Sequence, residues 1–386
     1  MSEKRRDNKG RLLKNGESQR KDGRYQYRYT DLDGTRRCIY NTDLHQLRQE
    51  ESRILRDLGT GISYRDGCTP LQEFVERVFR LKRTWADSTR ETMEHYLLIM
   101  QRSPLYQKPV NQIKMSDVKT YLITLQDEGY AYGTIASVFS LLKTAFRLAT
   151  DDNAIARDPA NFPLSDVLKN NTPPVRALTP EQERSLLDFL RKDKVGQRHL
   201  DMVIILLGTG LRISELAALT IGDIDFKNNV ICVSRQLKKL KGRTIISNPK
   251  TPSAIRNIPM TTTVRDSLNH LVQKRKEAGH SITIDGVDGF LITTRSGRPK
   301  CHSEYDDAMR AIMKRYNSST NIPIEHCTPH VLRHTYCTRC ISAGMDIKST
   351  QYLMGHTDAS TTLNIYADTV FDRVVENVAL LDKLSN

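Results

Sequence analysis

Five side chains in the second half of the chain are of the types that could act together on a phosphate ester: Arg212, His330, Arg333, His356 and Tyr366. A phosphodiester resists attack because its negative oxygens repel a nucleophile, so cations must neutralise charge as the five-coordinate transition state forms. Arginine suits that task, since a guanidinium fork matches two phosphate oxygens at once and stays protonated at any working pH. The imidazoles of His330 and His356 could donate hydrogen bonds or move protons near neutrality. A tyrosine hydroxyl, with an ordinary pKa of about 10, needs such surroundings before it can attack. Taken singly, each of these residues has a bland reading: a surface charge, a structural histidine, a core tyrosine. Their conjunction is what points to chemistry.

The local sequence predicts how these groups are presented. Residues 202–219 read MVIILLGTGLRISELAAL, an apolar helix, a turn on Gly208 and Gly210, and then Arg212 at the start of a second helix. An arginine there could join helix-end N–H groups in holding phosphate. The two glycines do not make a dinucleotide loop, because position 213 is Ile and no strand precedes them. Thr328-Pro329 marks another helix start. On that helix His330 and Arg333, three apart, share a face. Leu353-Met354-Gly355-His356 reads as a short helix ending in a glycine turn, and Tyr366 follows ten residues later. Cys337 and Cys340 have zinc-like C-x2-C spacing, with His326, Cys327, His330 and His334 upstream. They fall in an apolar helix with Val331, Leu332 and Ile341, where free cysteine behaves as a small buried hydrophobe, so no metal is expected.

Around these groups the chain divides by pattern. Thr179-Pro180-Glu181-Gln182 is a capping box opening a mixed α/β region, with strands predicted at 229–235, 243–248, 255–259 and 289–294. Ahead of it lies an all-helical stretch. Thr69-Pro70 predicts a capped helix start. The apolar stripe Leu71, Phe74, Val75, Val78 and Phe79 follows, with further helices at 88–101, 116–128 and 132–150 and a proline-bearing linker to Pro173-Pro174. At the amino-terminal end Tyr25, Tyr27 and Tyr29 alternate with Arg24, Gln26 and Arg28, the period of a strand with an aromatic and a polar face. Asp33-Gly34 supplies a hairpin turn. Thr35–Tyr40 is the return strand, and an earlier strand is predicted near Leu12. Leu44, Leu47, Ile54, Leu55 and Leu58 fall on one face of a helix that could cover the tyrosines. The domains predicted are thus 1–62, 69–160 and 177–386, with a linker at 161–176.

Composition narrows the partners. With 386 residues, more than one core is expected. The 59 Lys and Arg against 45 Asp and Glu leave a net charge of +14, which favours a polyanionic partner. The first forty residues alone carry twelve Lys or Arg against six Asp or Glu. A two- or three-stranded ribbon fits a DNA major groove, so Arg20, Arg24, Arg28, Arg36 and Arg37 are the predicted DNA contacts of this end. The longest apolar run, Met202–Leu207, is far below the roughly 18 to 20 residues of a membrane span. No h-region follows the basic start, and the seven scattered cysteines suit a reducing cytosol, so a cytoplasmic protein is expected.

An arginine, then HxxR, then GH followed after ten residues by tyrosine, in this order, resembles the tyrosine recombinase (phage integrase) family. The segment from Pro249 to Pro259 looks like the family's PKTxSxxRxIP pattern. The opening SEKRRDNKGRLLKNGESQRKDGRYQYRY is similar to the integrases of conjugative transposons, so the likeness covers nearly the whole chain. The resemblance implies a multidomain fold: a small three-stranded sheet plus helix that binds arm-type DNA, an all-α core-binding domain, and a mixed, mainly α catalytic domain. It implies cleavage and rejoining of DNA through a 3′-phosphotyrosine on Tyr366, with Lys250 protonating the departing 5′ oxygen. Lys238, Lys239 and Lys241 lie close enough on the same predicted hairpin to remain alternatives. Because the bond energy is retained, neither ATP nor metal is needed, in keeping with the lack of a GxxxxGK[ST] loop. The family also implies four protomers on two duplexes, with an excisionase and a DNA-bending protein as possible helpers. Two other readings are a type IB topoisomerase-like relaxing enzyme and a non-catalytic DNA-binding regulator. Beyond Tyr366, the stripe Phe371, Val374, Val375, Val378, Leu381 and Leu384 must be buried, either on its own domain or on a neighbouring protomer.

Overall fold

The structure is a computed structural model that describes residues 5–249, 252–279, 282–358 and 363. The chain divides after Pro173 into two compact units.

The first unit opens with an antiparallel sheet of β1 (Glu17–Gln19), β2 (Tyr25–Thr30) and β3 (Arg36–Asn41), in that spatial order. The period-two alternation holds: Tyr25 and Tyr27 are buried and Tyr29 is half-buried against α1 (Leu44–Gly59). Asp43 caps α1, accepting from the His45 and Gln46 amides. Two details differ from the sequence reading. The first strand lies at residues 17–19, while Leu12 makes only an isolated bridge to Arg6. Its position is fixed by Gly16, at φ +84°, whose bare Cα lies against the Tyr27 ring where a Cβ would come within 2.8 Å. Leu55 is 53 % exposed, because the middle of the α1 face is the buried Glu51, with Leu44, Leu47 and Ile54 around it.

The short α2 (Tyr64–Gly67) leads to α3 (Leu71–Leu81), α4 (Asp87–Gln101), α5 (Met115–Asp127) and α6 (Tyr132–Asp151). These bury an all-helical core that includes Phe74, Val75, Leu122, Leu142 and Phe146. Thr69 does not cap α3. Pro70 occupies the cap position in an extended conformation, and the Thr69 carbonyl accepts from the Val110 amide instead.

The second unit begins with α7 (Pro180–Lys192), whose capping box forms as predicted: Thr179 and Gln182 exchange hydrogen bonds of 3.1 Å. Then come α8 (Leu200–Thr209) and α9 (Ile213–Ala217), followed by β4 (Ile224–Asp225), β5 (Val230–Val233), β6 (Gln236–Leu240), β7 (Arg243–Ser247) and β8 (Arg256–Pro259). The helices α10 (Thr262–Ala278), α11 (His302–Asn317), α12 (Pro329–Ser342) and α13 (Ile347–Met354) complete it. Strands β4, β5 and β8 form one antiparallel sheet and β6–β7 a separate hairpin. That hairpin turns at Lys241 and Gly242, both at positive φ, the signature of a two-residue primed turn. No strand forms at 289–294. Gly289, at φ +71°, lets the chain make only isolated bridges, Thr220 to Phe290 and Thr293 to Pro299. The almost wholly apolar α8 lies at the centre, packed by α10 and α12. Among the described residues no helix is long and apolar enough to cross a membrane.

Candidate active site

The two glycines of the GTG turn fit close packing. A Cβ on Gly208 would come 2.3 Å from Val264 Cγ2, so α10 can approach α8 only over glycine. Gly210, at φ +62°, ends α8 in the left-handed conformation beneath the Tyr336 ring and the Met354 sulfur. The chain is thereby turned so that Arg212 becomes the N-cap of α9. Of the amides at this helix start, that of Arg212 is itself taken, donating to Glu215 Oε2 at 2.9 Å. The arginine's part in binding therefore falls to its guanidinium, whose Nη1 donates to Glu215 Oε1 at 2.8 Å.

On α12, capped by Thr328 as predicted, His330 and Arg333 share a face. The Arg333 side chain is 3 % exposed. Its Nη1 donates to the Gly210 carbonyl at 2.5 Å, and its Nη2 donates to the Met354 carbonyl. The GH turn after α13 is a Schellman motif: Gly355, at φ +59°, donates to Tyr352 O at 3.0 Å and His356 N to Gln351 O at 3.2 Å. Arg212 Nη2 then donates to the Gly355 carbonyl at 2.7 Å.

Arg212, His330, Arg333 and His356 line one cavity of about 950 Å³, with Thr357, Asp358 and the α11 residues His302, Asp306 and Arg310 on its other walls. Its electrostatics favour an anion. Burial, then the Arg333, Arg212 and Arg256 charges and His330, pushes His356 down to about 4. Burial, then Arg333 and Arg212, also lowers His330. Burial and Arg212 push Arg333 down to about 9, which leaves it charged at neutral pH. In the free protein the site therefore presents charged guanidiniums beside imidazoles held neutral.

Sequence reading missed two residues that hold this arrangement. Glu215 is buried within salt-bridge reach of three arginines: Arg212 at 2.8 Å, Arg256 at 2.9 Å and Arg333 at 4.0 Å. Burial alone would raise its pKa, and the Arg256 hydrogen bonds and the Arg256 and Arg212 charges overcome that and hold it below the usual range. Its signal was the capping spacing, three residues after Arg212. Arg256 is buried on β8, where the alternation of Arg256 and Ile258 inward with Asn257 and Pro259 outward places a charge on the core side. Lys250, Tyr366 and the stripe 371–384 lie outside the described residues. Ser253, three residues after Lys250, is 3.4 Å from Thr357 through their hydroxyls, beside His356. Cys327, Cys337 and Cys340 are buried free thiols, and among the described residues no group of three His, Cys, Asp or Glu is placed to hold a metal ion.

In the sheet, the pairing register separates the five predicted arginines. Gln26, Arg28 and Thr30 lie opposite Tyr40, Cys38 and Arg36 on the face away from α1. Arg20 and Arg24 stack over the exposed Tyr40 ring, at 5.4 and 5.9 Å. Arg37 shares the tyrosine side, where it pairs with Asp31 and Asp33 at 2.8 Å and braces the turn.

The pattern of the phage integrase family matches residues 176–373, and that of the DNA binding domain of Tn916 integrase matches residues 1–58. The chain is 37 % identical to the transposase from transposon Tn1545 of Streptococcus pneumoniae, over 99 % of this chain and 98 % of that one. It is equally similar, over the same shares, to the transposase from transposon Tn916 of Enterococcus faecalis. Among solved structures it is similar to the Tn1549 transposon integrase in complex with a circular intermediate DNA (37 % identity, 81 % of this chain and 99 % of that one, TM-score 0.76). That integrase carries an arginine-to-lysine substitution there, and a tyrosine-to-phenylalanine substitution in a complex with transposon right end DNA (38 % identity, 82 % and 100 %, TM-score 0.76).

Proposed function

The chain belongs to the phage integrase family, as a tyrosine recombinase of the conjugative-transposon kind that breaks and rejoins DNA to integrate and excise a mobile element, and we propose that Arg212, Lys250, His330, Arg333, His356 and Tyr366 carry its reaction. One observation carries this assignment: four of the six, far apart in sequence, line a single cavity. Arg212 and Arg333, seated on backbone carbonyls, would take the non-bridging oxygens of the scissile phosphate and neutralise the charge that grows in the transition state. The Tyr366 oxygen attacks phosphorus as its proton passes to a neutral imidazole, His356 or His330. The bond to the 5′ oxygen breaks, and that oxygen takes a proton from Lys250. Attack by a 5′ hydroxyl on the 3′-phosphotyrosine reverses these steps and joins a new strand.

Two facts support the residues outside the described set. The arginine and tyrosine substituted in the Tn1549 integrase are separated by the same number of residues as Arg212 and Tyr366. Ser253, near Lys250 in sequence, sits against Thr357 at the His356 turn. The DNA is the junction of the excised circular element and its integration target. Arm-type sites would be held by the outer face of the sheet through Arg28 and Arg36, with Arg20 and Arg24 beside it and Arg37 fixing the turn. Core sites would be held by residues 69–160 together with the catalytic domain, 177–386. Four protomers would act on two duplexes, aided by an excisionase and a DNA-bending protein. Incubation with a nicked duplex spanning the circle junction tests the reaction. A denaturant-resistant protein–DNA adduct is expected, and Tyr366→Phe should abolish it; an adduct that persists moves the nucleophile elsewhere.

A further inference from the structure

The last four carbonyls of a helix lack partners within it and carry the negative end of its dipole. At α13 the Schellman bonds use the Gln351 and Tyr352 carbonyls, which leaves those of Leu353 and Met354, followed by that of the turn residue Gly355. Each of these three consecutive carbonyls accepts from a different arginine. Leu353 O takes Arg256 Nε at 2.7 Å, Met354 O takes Arg333 Nη2, and Gly355 O takes Arg212 Nη2 at 2.7 Å. Arg212 and Arg333 also line the cavity, whereas Arg256 is wholly buried behind it.

The remaining donors of Arg256 reach both oxygens of Glu215, at 3.2 and 2.9 Å, and the Ala254 carbonyl at 3.1 Å. One planar guanidinium thus joins the carboxylate that orients Arg212 to the helix end that presents His356. The glycine of the GH turn has a second reason in this contact: a Cβ at Gly355 would come 2.9 Å from Arg256 Nη1 and 3.2 Å from its Cζ. Lysine cannot substitute, since a single ammonium cannot span a carboxylate and a helix-end carbonyl in fork geometry.

We propose that Arg256 is a positioning residue for strand cleavage, which locks Glu215 to the GH turn so that Arg212 and His356 meet the phosphate together. The proposal rests on the reading of Arg212 and His356 as groups that act on that phosphate. It is tested with full-length Arg256→Lys, Arg212→Ala and the double variant. Adduct formation on the nicked circle-junction duplex is followed in single turnovers at saturating protein, so that only folded, DNA-bound molecules are counted. A misplacement of about 1 Å in such a site slows reaction on the order of 100-fold, so Arg256→Lys should cleave 10- to 100-fold more slowly while its DNA affinity stays within about twofold of the unmodified protein. Because Arg256 acts in part through Arg212, the loss in the double variant should fall at least about fivefold short of the product of the single losses. Should Arg256→Lys not fold, Gly355→Ala, which presses on the same guanidinium with its charge retained, is read in the same way. Cleavage at the unmodified rate, a loss that merely tracks DNA affinity, or single losses that multiply would overturn the proposal. Absence of an adduct from the unmodified protein would count against the reaction itself instead.

Discussion

At the scale of the residue, the site is an economy of positive charge. Three guanidiniums are gathered around one buried carboxylate and one helix end, and the imidazoles beside them are kept neutral by burial and by those charges. For His356 the sign of the pH effect follows. Its folded pKa, about 4, lies below the roughly 6.5 of an unfolded chain. As pH falls from 7 toward 4 the unfolded chain takes up a proton that the folded site refuses, so the folded state loses stability across that window. Thermal melts of the free protein should therefore move downward from pH 7 to 4, and the His356 ring proton, followed by NMR, should titrate near 4. A phosphate backbone in the cavity favours the imidazolium, so bound DNA should move that midpoint upward. A free-protein midpoint at 6.5 or above would remove the electrostatic account of the site. Arg212, His330, Arg333 and His356, which line the cavity together, stood out in the sequence by residue type and spacing along with the likeness to the family. Glu215 and Arg256 did not, because they are buried partners whose role lies in which atoms they meet.

At the scale of the element, turn chemistry decides which side chains face the ligand. Gly210 and Gly355 end α8 and α13 in the left-handed conformation and set Arg212 and His356 at the cavity edge. In the amino-terminal sheet the register does the same work, placing Arg28 and Arg36 outward and Arg37 inward. If the outer face tracks phosphates, Arg28→Ala and Arg36→Ala should each weaken binding to arm-type DNA. Each should reduce the slope of log affinity against log salt by about 0.9. An unchanged slope in both would place the DNA on another surface. The helices of the first unit and the tyrosine strand were legible because their apolar periods are long and regular. The first strand and the apparent strand at 289–294 were misread. Three residues beside Gly16 give no alternation to see, and Gly289 breaks a run whose apolar residues, Phe290 and Leu291, are buried through isolated bridges rather than a ladder.

At the scale of the whole molecule, four protomers acting on two duplexes, as proposed above, would have to time cleavage with assembly on DNA. The apolar stripe Phe371 to Leu384 directly follows Tyr366, the proposed nucleophile, in sequence, and a stripe docked on a neighbouring protomer would link the two events. Deleting residues 371–386 should then abolish strand exchange, measured by recombinant product, while leaving monomeric DNA binding by mobility shift largely intact. Undiminished recombination would mean that the segment folds on its own domain. The succession of sheet, helical stretch and mixed α/β region was readable from composition and period, whereas the DNA sequences bound depend on contacts that no spacing rule specifies. A covalent bond between Tyr366 and DNA is read out by mass spectrometry of the protease-digested adduct. The nucleotide remnant is expected on the peptide containing Tyr366; a remnant on any other peptide would assign the nucleophile to a different residue.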